Sequence, residues 1–258
     1  MSITSCVPSE GGKAGSLSTA SAVDSFADAG SVREMSDSTS IETFPALSAV
    51  PGLRHGFLLR SPGIDVDCDR DEALDRLELH HTGLLASLGV SRESLATGEQ
   101  VHGCAIGGID GSSPSRIHFP ATDALITGTP GQYLGVWVAD CGAVFIVDPV
   151  HRACGIAHSG KKGTELGIAA ATIAKMNEIY GSDPADLVVQ LAPCIRPPAY
   201  EIDFASTLVA DCVAAGVPAD QVHDCGTCTS LDPGRYYSYR VEKGKTGRHF
   251  ALIGWPAT

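Results

Sequence analysis

The sequence has no apolar run long enough to cross a membrane, few basic residues and no glycine-rich nucleotide fingerprint, and each shortage removes a class of function. A spanning helix needs about 20 predominantly apolar residues, and the most apolar stretch here, Tyr133 to Val147, is interrupted by Asp140. Lys and Arg number 18 against 30 Asp and Glu, a formal charge of −12 over 258 residues. Such a surface repels phosphodiester backbones and anionic lipid, which argues against nucleic acid or a membrane as principal partner. No G-x-G-x-x-G and no complete P-loop occurs, which argues against a Rossmann-type sheet. The N-terminal residues lack both a basic n-region and a continuous apolar h-region, so a cytoplasmic location is expected. Nine cysteines at irregular spacing, in a chain large enough to bury its own core, point to free thiols and metal ligands rather than a disulfide scaffold.

Residues 1–45 read as a flexible low-complexity tail. The first 42 hold fourteen Ser or Thr and a single aromatic, Phe26, too little apolar surface to offset the entropy of ordering. The remainder, 46–258, has the size of one domain. Within it, helical spacing of Leu74, Leu77, Leu84, Leu85 and Leu88, with acids in the first turn and Gly89 after the last, predicts a helix over Asp71 to Leu88. Two more are expected, from about Thr164 to Glu178 and from about Ser206 to Ala215. Short β-branched runs predict strands at Asp123–Thr127, Leu134–Val138, Ala143–Val147, Ala153–Ala157, Leu187–Leu191 and Phe250–Ile253. Strands and helices mix without regular βαβ alternation, so the expected class is α+β, a mixed β-sheet core with flanking helices.

One contact follows from spacing. Asp148 to Arg152 has the length and chemistry of a hairpin loop, so Ala143–Val147 and Ala153–Ala157 are expected to pair antiparallel. If Val147 opposes Arg152 or Ala153, Cys141 falls opposite His158 or Ser159, where facing side chains lie about 5 Å apart. A thiol beside an imidazole is either half of a metal site or a nucleophile with its base. Asp140 precedes the cysteine, and Ser159, Gly160, Lys161, Lys162 and Gly163 follow the histidine just before a helix, so acid, thiol, imidazole and cations converge there.

These residues stand in an ordered set of short motifs: Gln100-Val101-His102-Gly103, Asp123-Ala124-Leu125-Ile126-Thr127, Ala139-Asp140-Cys141, His158-Ser159-Gly160-Lys161-Lys162-Gly163-Thr164, Ala192-Pro193-Cys194-Ile195, Cys228-Thr229, Ser238-Tyr239-Arg240 and Thr246-Gly247-Arg248. From about Arg54 to Trp255 the chain resembles the laccase-domain, or YfiH-like, family, also described as multicopper polyphenol oxidase-like and as purine nucleoside phosphorylases. The resemblance implies a YfiH-like fold and one zinc site formed by His102, Cys141 and His158; Asp140, a further catalytic candidate, is read from its place next to Cys141. It implies phosphorolysis of purine nucleosides, methylthioadenosine included, and deamination of adenosine, with a purine nucleoside and phosphate as partners. Candidates for holding phosphate are Arg60, Lys162, Arg240 and Arg248. The family usually reads Trp-Arg where this chain has Lys161-Lys162, which keeps charge but loses the bidentate fork and stacking face of arginine.

Three alternatives accompany this reading. Copper at the same Cys/His/His site would give weak polyphenol oxidation, although the chain has no His-x-His pair of the kind multicopper clusters use. A cysteine hydrolase editing peptidoglycan precursors would use Cys141 as nucleophile, His158 as base and Asp140 or His102 as the residue orienting that base. A drifted zinc-binding module would bind without turnover. Elsewhere, His81 is read as packing, the lone Cys225-Gly226-Thr227-Cys228 as structural, Cys104, Cys154, Cys194 and Cys212 as buried thiols, and His55 as close enough to Arg60 to approach the same pocket.

Overall fold

Runs that are apolar at every position, rather than at alternate ones, belong to strands covered on both faces, and that is how this chain builds its centre. The computed structural model describes residues 2–4, 40–109, 111 and 115–257. In chain order its strands are β1 (Ser2–Thr4), β2 (Ile41–Glu42), β3 (Arg54–Leu58), β4 (Leu95–Gly98), β5 (Ile106–Ile109), β6 (Ile117–Phe119) and β7 (Ala124–Thr127), followed by β8 (Tyr133–Val138), β9 (Gly142–Asp148), β10 (Ala153–Ser159), β11 (Val188–Leu191), β12 (Val222–Asp224) and β13 (His249–Gly254). The helices are α1 (Pro45–Ser48), α2 (Arg70–Ser87), α3 (Lys161–Glu165), α4 (Ile168–Tyr180) and α5 (Phe204–Ala214). Most of the expected 1–45 tail lies outside the described residues. Its ends do not: β1 pairs with β5, and β2 pairs with β3.

Two mixed sheets result, one ordered β1-β5-β7-β10-β9-β11-β12 and the other β2-β3-β13-β8-β4-β6. They pack face to face. Phe57, Val136, Val138, Ala251 and Ile253 of the second sheet meet Leu125, Phe145, Val147 and Ile156 of the first. The intervening positions point outward, Ile126, Val144 and Ile146 onto Ile173 and Met176 of α4 and Leu208 of α5, and Leu58, Phe250 and Leu252 onto Leu85 of α2. The order of layers is helix, sheet, sheet, helix: the expected α+β class with flanking helices, built on two mixed sheets where a single mixed-sheet core was expected.

Two expectations change in detail. The helix expected over 164–178 is broken, because Gly167 takes φ +70 between α3 and α4. The hairpin register is one residue later than the nearer of the two expected: Val147 opposes Cys154 and Asp148 opposes Ala153. The cause is Asp148, whose buried carboxylate accepts the amides of Val150 and His151 at 2.8 and 3.0 Å and so belongs to the strand end rather than to the loop.

Candidate metal centre

The three residues of the candidate centre come from three chain segments. His158 sits near the end of β10, Cys141 just before β9, and His102 in the loop between β4 and β5. In the observed register His158 faces Ala143 and Ser159 faces Gly142, so Cys141 lies one step beyond the last pair, beside Gly160. A Cβ at Gly160 would come within 2.7 Å of Cys141 Sγ, so the thiol occupies space that only glycine leaves. The ligand atoms of His102, Cys141 and His158 all lie within 4.8 Å of one another. Sγ is 3.9 Å from His102 Nε2, and the imidazoles meet edge to face with centroids 4.9 Å apart.

The electrostatics favour a thiolate. Burial pushes the Cys141 thiol up, but hydrogen bonds and charge from His102 and His158 outweigh it and bring its pKa down to about 6. Burial depresses His158, and contact with Asp123 and Cys141 overrides it, raising its pKa to about 9. Behind His158 stands Asp123, 1% exposed, whose Oδ1 meets His158 Nδ1 at 2.8 Å. Asp123 also accepts the backbone amides of Val101, His102 and Gly103 at 3.1, 3.0 and 2.8 Å. Sequence reasoning singled out the motif beginning at Asp123 but gave the residue no part in the site. The available signal was an acid heading a fully apolar strand, since a carboxylate buried there must be paired.

Asp140 lines the same cavity as Cys141, and its carboxylate is engaged by residues other than the two imidazoles. Its carboxylate accepts from the Thr229 hydroxyl at 2.6 Å, the Ser238 hydroxyl at 3.1 Å and the Arg240 amide at 2.7 Å. Asp140 itself has φ +76, so this network holds the bend that presents Cys141. The Gln100 side chain bridges to both backbone groups of Trp137, receiving its amide at 2.8 Å and donating to its carbonyl at 2.6 Å.

The cluster opens into a cavity of about 670 Å³. Its wall carries aromatic surface from Trp137, Tyr200, Phe204 and Tyr239 and cationic groups from Arg70, Lys161, Arg240, Lys243 and Arg248. Arg248 is buried, its guanidinium donating to the carbonyls of Thr246 and Gly247, and desolvation lowers its pKa. Arg240 stacks on Tyr200 and pairs with Glu201 at 2.8 Å. The other two phosphate candidates do not reach the wall. Lys162 is exposed, and Lys161 lines the cavity in its place. Arg60 pairs with Glu242 and lies over the Tyr237 ring at 4.6 Å. His55 accepts the Phe44 amide inside the core, and His81 packs on Trp137. Cys194 and Cys228 form an isolated parallel β-bridge and are not among the clustered ligand atoms. No helix among the described residues is long and apolar enough to cross a membrane.

The family model described as multi-copper polyphenol oxidoreductase laccase matches residues 64–208 and 202–256. A Bacillus subtilis protein named purine nucleoside phosphorylase YlmD is 29% identical over 163 residues, covering 52% of this chain and 59% of that protein. A Deinococcus radiodurans protein named purine nucleoside phosphorylase is 30% identical over 219 residues, covering 75% of this chain and 83% of that protein. The crystal structure of YlmD from Geobacillus stearothermophilus superposes with a TM-score of 0.70 at 24% identity, over 83% of this chain and 94% of that one, a likeness of fold.

Proposed function

The chain belongs to the multi-copper polyphenol oxidoreductase laccase family, and from that premise we propose that it is a zinc-dependent purine nucleoside phosphorylase. The observation that carries the reading is the placing of two imidazoles and a low-pKa thiol within 4.8 Å of one another on the wall of a cavity that also holds aromatic and cationic side chains. The donor set suits zinc: one sulfur that ionises readily and two nitrogens, three ligands that leave a position open. Zinc held by His102, Cys141 and His158 supplies a Lewis acid at neutral pH.

The chain's own residues supply the rest. Trp137, Tyr200, Phe204 and Tyr239 offer faces on which a purine stacks. Arg248 is the best placed of the cations for phosphate, because its charge is buried and its guanidinium donates to the Thr246 and Gly247 carbonyls rather than to a carboxylate. Lys161 and Lys243 add charge at the wall. Held there, phosphate is positioned against the sugar carbon, the new bond forming from a phosphate oxygen as the carbon–nitrogen bond to the base breaks. The base leaves with that electron pair and takes up a proton, and the products are free purine and a pentose 1-phosphate. Methylthioadenosine fits the same chemistry, and deamination of adenosine by water at the same centre is the second activity we propose.

Copper is the second reading, favoured by the family's description and by the nitrogen and sulfur donors. Metal-quantified protein incubated with adenosine, inosine and methylthioadenosine, with and without phosphate, tests the assignment by chromatography. Phosphate-dependent free base that is absent from Cys141→Ala supports phosphorolysis, and inosine formed without phosphate supports deamination. Stoichiometric metal with no nucleoside turnover would sink both and move attention to amide substrates.

A further inference from the structure

We infer that Asp123 is the positioning residue of this centre, a single buried carboxylate that sets the geometry of both histidines. The inference rests on reading His102, Cys141 and His158 as a metal site. Two oxygens receive four donors: His158 Nδ1 and the His102 amide converge on Oδ1 at 2.8 and 3.0 Å, and the amides of Val101 and Gly103 converge on Oδ2 at 3.1 and 2.8 Å. Asp123 is fixed in turn through its backbone, its amide donating to Ala105 and its carbonyl receiving the His158 amide at 2.8 Å.

Each bond has a consequence for one ligand. With Nδ1–H directed at Asp123, Nε2 is the His158 nitrogen left to face the cluster, the one that would give up its proton to a metal. His102 has φ +59, a left-handed conformation that costs a non-glycine residue roughly 1–2 kcal/mol and persists only where its surroundings over-determine it. Three consecutive amides gathered on one carboxylate supply that determination. Asparagine at 123 has the same shape but turns an amide group toward two of the donors, so the turn and the tautomer cannot both be held.

The test is Asp123→Asn, with Asp148→Asn as control, because Asp148 is an equally buried carboxylate that caps the β9–β10 turn away from the cluster. Zinc affinity is read by chelator competition, and amide hydrogen exchange is read on the metal-free proteins. Asp123→Asn is expected to lose about 10–100-fold in zinc affinity and to lose protection at the amides of Val101, His102 and Gly103 while β9 and β10 keep theirs. Asp148→Asn is expected to lose stability without losing zinc affinity. Unchanged affinity together with unchanged exchange at 101–103 overturns the inference. If wild type binds neither zinc nor copper, the metal reading fails, and the exchange data still decide whether Asp123 holds the turn. Should Asp123→Asn not fold, nitrogen-15 spectra of wild-type imidazoles decide instead: a His158 protonated at Nδ1 supports the role, and one protonated only at Nε2 overturns it.

Discussion

Gly160 and Cys141 share one small volume: a Cβ on the glycine would stand 2.7 Å from the thiol sulfur. Since real Cβ atoms do not approach so closely, Gly160→Ala must displace the sulfur or the β10–α3 turn. The expected outcome is a loss of bound metal of tenfold or more, as for a misplaced ligand, with a fall in stability of about 1 kcal/mol by the general run of substitutions. Metal analysis beside thermal melts checks it, and an alanine variant with full metal content would show that the turn yields without moving the thiol.

Chelation separates the two metals. Protein stripped of metal is expected to lose phosphorolysis and to recover it with zinc, and not with magnesium, which prefers oxygen donors. Copper at the same ligands is expected to give at most slow oxidation of phenols. Restoration of nucleoside cleavage by copper alone would reverse the assignment.

The four basic candidates for phosphate divide by position. Arg248 is buried on the cavity wall, Arg240 lies on the wall already paired with Glu201, Lys162 is exposed off the wall, and Arg60 is tied to Glu242 and Tyr237. A charge-assisted hydrogen bond is worth about 1.5–3 kcal/mol, so Arg248→Met is expected to raise the KM for phosphate roughly tenfold to a hundredfold. Lys162→Met should leave it within about twofold, and Arg60→Met should lower stability rather than phosphate affinity. Phosphate-dependence curves for the three variants decide. An effect at Lys162 matching that at Arg248 would contradict the division.

That division was not legible in the sequence, and the reason is geometric. Cys141 and His158 could be brought together because one hairpin joins them, and the pairing survives a register displaced by one residue. His102 is 39 residues from Cys141 and arrives through a loop whose shape depends on Asp123, so only the resemblance connected it. Lys161 and Lys162 are adjacent in the first turn of α3, and which of them faces the cavity depends on where that short helix starts, after Gly160, a boundary that the sequence pattern did not place. The two-layer arrangement of sheets was hidden for a different reason. Strands such as Ala143–Val147 are apolar on both faces, and a continuous apolar run does not say which neighbour covers which side.

His81 provides a test of stability rather than of chemistry. It is 2% exposed on α2, it packs on Trp137, and neither ring nitrogen has a hydrogen-bond partner among the described residues. Burial, with smaller contributions from His80 and Arg92, lowers its pKa from 6.5 to about 4. The folded chain therefore keeps the ring neutral where the unfolded chain protonates it. Its contribution is complete above pH 6.5, is lost as pH falls from 6.5 toward 4, and changes no further below that. By pH 5 the loss is about 2 kcal/mol, at 1.36 kcal/mol per pH unit. His81→Leu removes both the titration and a desolvated imidazole whose unmet hydrogen bonds cost about 1–3 kcal/mol. The variant is expected to match or exceed wild-type stability at pH 7.5 and to gain a further 2 kcal/mol or so relative to wild type at pH 5. Urea unfolding of both proteins at the two pH values measures this directly, and a difference that stays constant with pH would mean that His81 titrates normally in the folded protein.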